Sequence, residues 1–116
     1  MIIYTAQYKY SGEDRLDITV KGQDPLGKYF APTWSMVCGI KEGSLTTQMY
    51  EIGYEDILAY VPDKIYKKLF RKKEVTLVCF CRSNQFCHRF LLAEELEKRG
   101  ATYKGERSLV EDFKLF

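Results

Sequence analysis

The feature that most constrains the fold is a strand–loop–helix–strand pattern towards the end of the chain. Residues 75–81 are apolar on both faces, as expected of a central strand that helices cover on both sides. A short polar loop leads to a helix that begins near Cys87 and ends at Gly100, with cations in its last turn. An extended segment follows at residues 101–103. Such a βαβ unit implies a right-handed crossover and a pair of parallel strands.

The first strand is predicted at residues 2–6, which are β-branched and apolar without alternation. This segment and residues 75–81 are both apolar on both faces, and helical crossover material separates them. We therefore expect them to be parallel neighbours in the sheet. Leu16, Ile18 and Val20 alternate with polar residues, which indicates a short, half-exposed strand or an extended arm.

Three helices are predicted between these strands. The first follows the N-cap residue Thr33 and ends at Gly43. The second is amphipathic, begins at Thr46 or the next residue, and ends at Pro62. The third is predicted to have Asp63 as its cap.

The length and composition of the chain fit one folded domain. Its 116 residues are 46% hydrophobic and 29% charged, which describes a globular protein and excludes wholesale disorder. We predict a single compact three-layer (Rossmann-like) α/β domain over residues 1–116, with a short, mainly parallel sheet. The net charge of +2 disfavours a nucleic-acid-binding protein, and the apolar stretches are too short to span a membrane.

The N-terminus and the cysteines indicate the cellular compartment. The first residues lack the basic start and long apolar segment of a secretion signal, so we expect a cytoplasmic protein. In that reducing compartment Cys38, Cys79, Cys81 and Cys87 are expected to be free thiols or metal ligands.

The candidate site is the corner between the end of the central strand and the start of the last helix. Ligands of open α/β sheets bind there, because the unpaired N–H groups of a helix N-terminus attract anions. Arg89 adds positive charge in the first turn, although a cation there opposes the helix dipole. Cys87 would have a lowered pKa in the same turn, and His88 is the only histidine. We therefore predict Cys87 and His88 as catalytic residues and Arg89 as a ligand-binding residue.

The other predicted ligand-binding residues lie in the loop before the last helix, at the end of the first strand, or in the side walls of the site. They are Cys81, Arg82, Ser83, Thr5, Gln7, Tyr8, Asp17 and Trp34.

Most residues of this corner also have a structural explanation. Cys79 is expected in the core of its strand, and Cys81 and Cys87 are each as consistent with packing as with function. His88 is also consistent with a packing role, and Arg89 with an ion pair to a carboxylate. The helical spacing leaves open whether Cys87 or His88 starts the apolar stripe, and we expect His88 to point inward and Cys87 to lie at the rim.

A metal site is the main chemical alternative. Cys79, Cys81, Cys87 and His88 form a soft ligand set that zinc accepts. However, Cys79 and Cys81 point the same way from a regular strand, about 6.5–7 Å apart, whereas zinc sites usually use Cys-x2–4-Cys knuckles. We therefore expect an anion-binding corner without a metal ion or another cofactor.

The chain resembles the "domain of unknown function 488" family. The most specific shared feature is a strand with a cysteine, a short loop and a Cys-His-Arg helix start, here Cys79, Cys81 and Cys87-His88-Arg89. Residues 3–8, 16–22 and 30–34 are similar to a short subgroup found in bacteria and their phages. The resemblance covers nearly the whole chain and implies a compact α/β domain, and it supplies no established reaction.

The favoured function is recognition of a phosphate-bearing small molecule such as a nucleotide, with processing by Cys87 or His88 as an extension of it. The alternative is a non-enzymatic phage or mobile-element interaction protein that binds a host protein or sequesters a nucleotide signal. In that case the residues Cys87, His88 and Arg89 would be structural. The sequence leaves open whether the protein is an enzyme.

Overall fold

A four-stranded parallel sheet is the centre of the computed structural model, which describes residues 1–80 and 87–107. Its strands are β1 (Ile2–Gln7), β2 (Arg15–Asp17), β3 (Glu74–Cys79) and β4 (Thr102–Glu106). They lie in the order β2-β3-β1-β4. The described residues therefore confirm the predicted compact three-layer α/β fold with a short parallel sheet.

Helices occupy two of the connections between strands. The connection from β2 to β3 contains a short 3-10 helix (Gly27–Phe30), α1 (Trp34–Glu42), α2 (Thr47–Tyr60) and α3 (Asp63–Phe70). The connection from β3 to β4 contains α4 (His88–Lys98). Among residues 1–80 and 87–107, no helix has the length and apolar character needed to cross a membrane.

The pairing of β1 with β3 confirms that the two most apolar strands are parallel neighbours. Their register runs from Ile2 opposite Glu74 to Gln7 opposite Cys79, so both strands end at the same level. On the other side of β3, Asp17 at the end of β2 lies opposite Val78. The carboxyl ends of three strands therefore meet at one edge of the sheet, where α4 begins.

Side-chain caps fix the starts of α1 and α2 where the sequence predicts them. The Thr33 hydroxyl accepts a hydrogen bond from the Met36 N–H at 3.1 Å, and the Thr46 hydroxyl accepts one from the Met49 N–H at the same distance. At the end of α1, Gly43 has a φ of 80°, a left-handed conformation that suits glycine.

Two predicted boundaries differ in the structure. Pro62 occupies the N-cap position of α3, so Asp63 is the first helical residue and not the cap. The strand β2 ends at Asp17 and does not continue to Val20. It stops because the Asp17 carboxylate accepts hydrogen bonds from the N–H and the hydroxyl of Thr19, which turn the chain away from the sheet.

The hydrophobic core packs against one face of the sheet, and the middle of the opposite face is buried as well. Ile3 and Leu77 belong to one buried cluster with Tyr54 of α2 and with Leu92 and Leu96 of α4. Side chains alternate along a strand, so Ala6 and Val78 point to the opposite face, and they are fully buried as well. This burial on both faces explains why β1 and β3 are continuously apolar.

Candidate functional site

A cavity of about 450 Å³ lies at the edge of the sheet where β2 and β3 end. Its lining comes from the segment after β2, the segment before and along α1, one residue of α2, the end of β3 and the start of α4. The lining residues are Thr19, Val20, Lys21, Pro32, Trp34, Val37, Ile40, Lys41, Tyr50, Cys79, Phe80, Cys87 and His88. The position agrees with the general rule that α/β proteins bind ligands beyond the carboxyl ends of their strands.

The helix α1 provides an apolar wall of this cavity. Trp34, Val37 and Ile40 follow each other at helical spacing and all line the cavity. No residue of α1 is fully buried, and the Trp34 side chain is 53% exposed. The apolar side of α1 therefore faces the cavity and is available to a ligand with a flat apolar group.

Two lysines bring positive charge to the cavity lining. The Lys21 ammonium lies 4.7 Å from the centre of the Trp34 ring, within range of a cation–π interaction. Lys41, on the last turn of α1, is exposed like Lys21. The lining thus combines an aromatic face with cations that a phosphate would contact.

Two cysteines and the histidine form the floor of the cavity. Cys87 is the N-cap residue of α4, His88 is the first residue of that helix, and Cys79 ends β3. All three side chains are buried, with exposed fractions of 1–6%. The structure joins Cys79 and Cys87 as a disulfide, so the expectation of free thiols does not hold for this pair, and the His88 Nδ1 lies 3.6 Å from the Cys87 sulfur.

The protonation of His88 follows from its surroundings. Its Nε2 lies 2.7 Å from the carbonyl oxygen of Ile18, which only accepts hydrogen bonds, so Nε2 carries the proton. Nδ1 is then the unprotonated nitrogen, and it faces Cys87. Burial lowers the pKa of His88 to about 4, and the Arg89 charge acts in the same direction, so the ring is neutral near pH 7.

Arg89 does not line the cavity. Its buried guanidinium donates two hydrogen bonds to the Glu106 carboxylate, at 2.8 and 3.1 Å, and a third from Nη1 to the Cys79 sulfur at 2.9 Å. Arg89 therefore has the ion pair that the sequence allowed as the alternative to ligand binding.

Three of the predicted site residues, Cys87, His88 and Trp34, line the same cavity. His88 points inward as expected. The predicted rim position of Cys87 is wrong: its side chain is 2% exposed, because the extended backbone of this N-cap residue directs the sulfur onto Cys79. Both residues of the pair are therefore buried at the floor.

The other predicted ligand-binding residues that the structure describes do not line the cavity. Thr5 is buried and shares a hydrogen bond with the Tyr103 hydroxyl at 2.7 Å. Tyr8 stacks on Phe80 with ring centres 4.1 Å apart, and so supports a cavity residue from behind. Asp17 forms the turn after β2, and Gln7 lies beside Cys79 at the end of β1. Cys81, Arg82 and Ser83 lie outside the described residues.

Most of the lining residues were not predicted for the site, among them Lys21, Lys41, Phe80 and Val37. Phe80 and Lys21 could have been found, because they follow the ends of β3 and β2 directly or within four residues. Val37 and Lys41 depend on how α1 packs, which its amphipathic pattern alone does not specify.

Comparison with known families agrees with this architecture. Residues 5–100 match the DUF488-N3a family, described as the active DUF488-N3 subclade. The chain belongs to this family. The matched region runs from within β1 to just after α4, so it contains all of the described residues that line the cavity. Searches of curated proteins and of solved structures found no match.

Proposed function

We propose that this member of the DUF488-N3a family binds a phosphate-bearing small molecule of the nucleotide class in the cavity, and that Cys87 and His88 act on it. The observation that carries the proposal is the composition of the lining. An aromatic and aliphatic wall, two lysines and a buried thiol–imidazole pair surround one space. A nucleotide offers the matching groups: a flat base, a phosphate and an electrophilic centre between them.

The size and wall of the cavity support a ligand of this class. Small-molecule sites typically measure about 300–1,000 Å³, and this cavity measures about 450 Å³. Trp34 can stack on a base, as aromatic side chains commonly do in nucleotide recognition. Lys21 lies beside the same ring, so its ammonium would contact a phosphate attached to the stacked group.

The chemistry follows from the Cys87–His88 pair. A neutral imidazole with its lone pair towards a thiol can accept the thiol proton. In the protein whose Cys79–Cys87 disulfide a thiol reductant has reduced, the Cys87 S–H bond breaks, a bond from the proton to His88 Nδ1 forms, and the thiolate becomes the nucleophile. The Ile18 carbonyl holds the ring in the required tautomer, the orienting role that a third group has in catalytic triads.

Ligand binding is tested by thermal unfolding with AMP, adenosine and inorganic phosphate. AMP at a hundredfold excess over its dissociation constant should stabilise the fold by about 2.7 kcal/mol. Lys21→Ala and Trp34→Ala should each weaken AMP binding by about tenfold or more, whereas Lys98→Ala, an exposed cation at the far end of α4, should not change it. No stabilisation by AMP or phosphate at millimolar concentration would contradict the proposal.

The reactivity of Cys87 is tested separately by alkylation and peptide mapping. AMP should slow the alkylation of Cys87, because a ligand in the cavity covers its floor. Cys38 does not line the cavity and provides an internal control within the same sample. Equal protection of both cysteines, or of neither, would contradict a ligand position above Cys87.

A second candidate function is a non-enzymatic protein that binds a partner, such as a host protein of a phage factor. Its support is the apolar surface of α2, where Tyr60, Ile52 and Met49 are 87%, 56% and 53% exposed. For that function Tyr60→Ala should weaken the partner complex, and Cys87→Ser should leave it intact. As part of either proposal we place the protein in the cytoplasm of a bacterium.

A further inference from the structure

We propose that Cys79, Cys87 and His88 form a binding site for Zn²⁺ whose fourth coordination position opens into the cavity. The three potential ligand atoms lie within 4.8 Å of one another and all three residues are buried. Two thiolates and one imidazole are a ligand set that zinc binds tetrahedrally, and three protein ligands with one open position characterise sites that act on a bound molecule.

The distance between two of the ligand atoms already fits an ion between them. Zinc binds sulfur at about 2.3 Å and imidazole nitrogen at about 2.0–2.1 Å, so tetrahedral geometry separates the two ligand atoms by about 3.6 Å. The Cys87 sulfur and the His88 Nδ1 are 3.6 Å apart. The structure joins the two sulfurs as a disulfide. In the reduced protein they would separate to about 3.8 Å around the ion, a movement within reach of cysteine side-chain rotation.

The surroundings of the three residues match the outer shell of metal sites. A metal-binding histidine almost always donates its second N–H to an oxygen acceptor, and His88 donates Nε2–H to the Ile18 carbonyl at 2.7 Å. The nitrogen left for the ion is the one that faces Cys87. On the other side, Arg89 Nη1 donates a hydrogen bond to the Cys79 sulfur at 2.9 Å, so a neighbouring side chain orients this potential ligand too.

A disulfide between the two cysteines accounts for less of this arrangement. The structure bridges them with Cα atoms 7.6 Å apart, wider than the about 4.4–6.8 Å usual for disulfides, and this separation leaves room for an ion between the reduced sulfurs. A disulfide would also leave the orientation of His88 Nδ1 without a role. The spacing of Cys79 and Cys81 in the sequence disfavours a zinc knuckle formed by these two cysteines. The fold brings a different set together, because Cys79 lies beside Cys87 and His88.

The zinc site rests on the proposed function in one respect: the proposed function supplies the nucleotide that would occupy the cavity next to the ion. In the metal-loaded protein Cys87 and His88 are ligands, and a group of the nucleotide that reaches the floor of the cavity would meet the open position of the ion. In the metal-free protein the same residues are the thiol–imidazole pair described above. Bound Zn²⁺ should therefore protect Cys87 from alkylation even without a nucleotide.

The test is a Co²⁺ titration of the reduced, chelator-treated protein, followed by visible and near-ultraviolet absorption. We expect one equivalent of Co²⁺ to produce the intense d–d bands of a tetrahedral site and a thiolate-to-cobalt charge-transfer band, both removed by one equivalent of Zn²⁺. Cys79→Ser and Cys87→Ser should each lose most of the charge-transfer intensity, and Cys38→Ser should retain all of it. Substitution of His88 removes a buried hydrogen bond. The Co²⁺ spectrum of His88→Phe is therefore compared with that of the wild type only after circular dichroism shows that the variant has a native fold.

Two outcomes would overturn the site: no charge-transfer band in the wild-type protein, or an undiminished band in Cys79→Ser. The AMP experiment on the chelator-treated protein distinguishes this failure from failure of the proposed function. Stabilisation by AMP without Co²⁺ binding removes the metal site alone, whereas Co²⁺ binding without any effect of AMP or phosphate removes the nucleotide proposal alone.

Discussion

The imidazole Nε2 of His88 lies 2.7 Å from the carbonyl oxygen of Ile18, 70 residues earlier in the chain. This hydrogen bond joins the segment after β2 to the first turn of α4, and it closes the cavity floor between them. It also decides which nitrogen of His88 faces Cys87. The same contact thus fixes a tertiary packing arrangement and the chemical character of the candidate site.

The burial of His88 makes the stability of the metal-free protein depend on pH. Its pKa is lowered from 6.5 to about 4 in the folded state, so the unfolded chain binds more protons between these values. The stability that the protein gains from keeping His88 neutral is fully present above pH 6.5 and is lost as the pH falls towards 4. We expect the free energy of unfolding to decrease by about 3 kcal/mol across this window, measured by urea denaturation with a chelator present. The His88→Phe variant should lack this step, and an identical pH profile in both proteins would contradict the assignment.

The ion pair between Arg89 and Glu106 should contribute to folding. Arg89 is fully buried, and Glu106→Gln would leave its charge without the carboxylate. Removing one partner of a buried pair costs about 3–5 kcal/mol, and because the Glu106 side chain is 20% exposed we expect about 2 kcal/mol. The matched control is Glu95→Gln, which removes the exposed Glu95–Arg99 pair and should cost less than about 1 kcal/mol. Equal losses in chemical denaturation would show that burial does not distinguish the two pairs.

The buried hydroxyl of Tyr54 should also stabilise the fold. It donates a hydrogen bond of 2.6 Å to the Phe30 carbonyl, at the end of the 3-10 helix, and burial raises the pKa of Tyr54 well above its ordinary value. Tyr54→Phe leaves that carbonyl without its donor and should cost about 1–3 kcal/mol. Tyr60→Phe, at a position 87% exposed on the same helix, should be neutral within about 0.5 kcal/mol. A neutral Tyr54→Phe in chemical denaturation would contradict this hydrogen bond.

The N-cap of α1 should control access to the cavity wall. Thr33→Ala removes the hydrogen bond to Met36 and should cost about 1 kcal/mol. Because no residue of α1 is fully buried, this loss should appear as local opening, with amide exchange in α1 faster by about fivefold. In the control Thr46→Ala we expect a lower free energy of global unfolding and no separate opening of α2, since α2 contributes Tyr50, Tyr54 and Leu58 to the core. Exchange that accelerates uniformly in Thr33→Ala would show that α1 does not open separately.

The sequence by itself determined the elements and the pairing of the central strands. Residues 2–6 and 75–81 are apolar without alternation, which predicts strands buried on both faces. Their parallel pairing follows from the helical connection between them. Local chemistry also determined the helix starts at Thr33 and Thr46, because a capping hydroxyl acts within three residues. The position of the candidate site at the strand ends followed from the same pattern.

Only the tertiary structure decided what the side chains of that site do. The sequence could not show that Arg89 pairs with Glu106 rather than with a ligand, since β4 reaches α4 only through the fold. It could not show that Cys87 turns onto Cys79, or that the Ile18 carbonyl fixes the tautomer of His88. These contacts join residues 8 to 70 positions apart, and their energies depend on burial and direction, which periodicity along the chain does not specify.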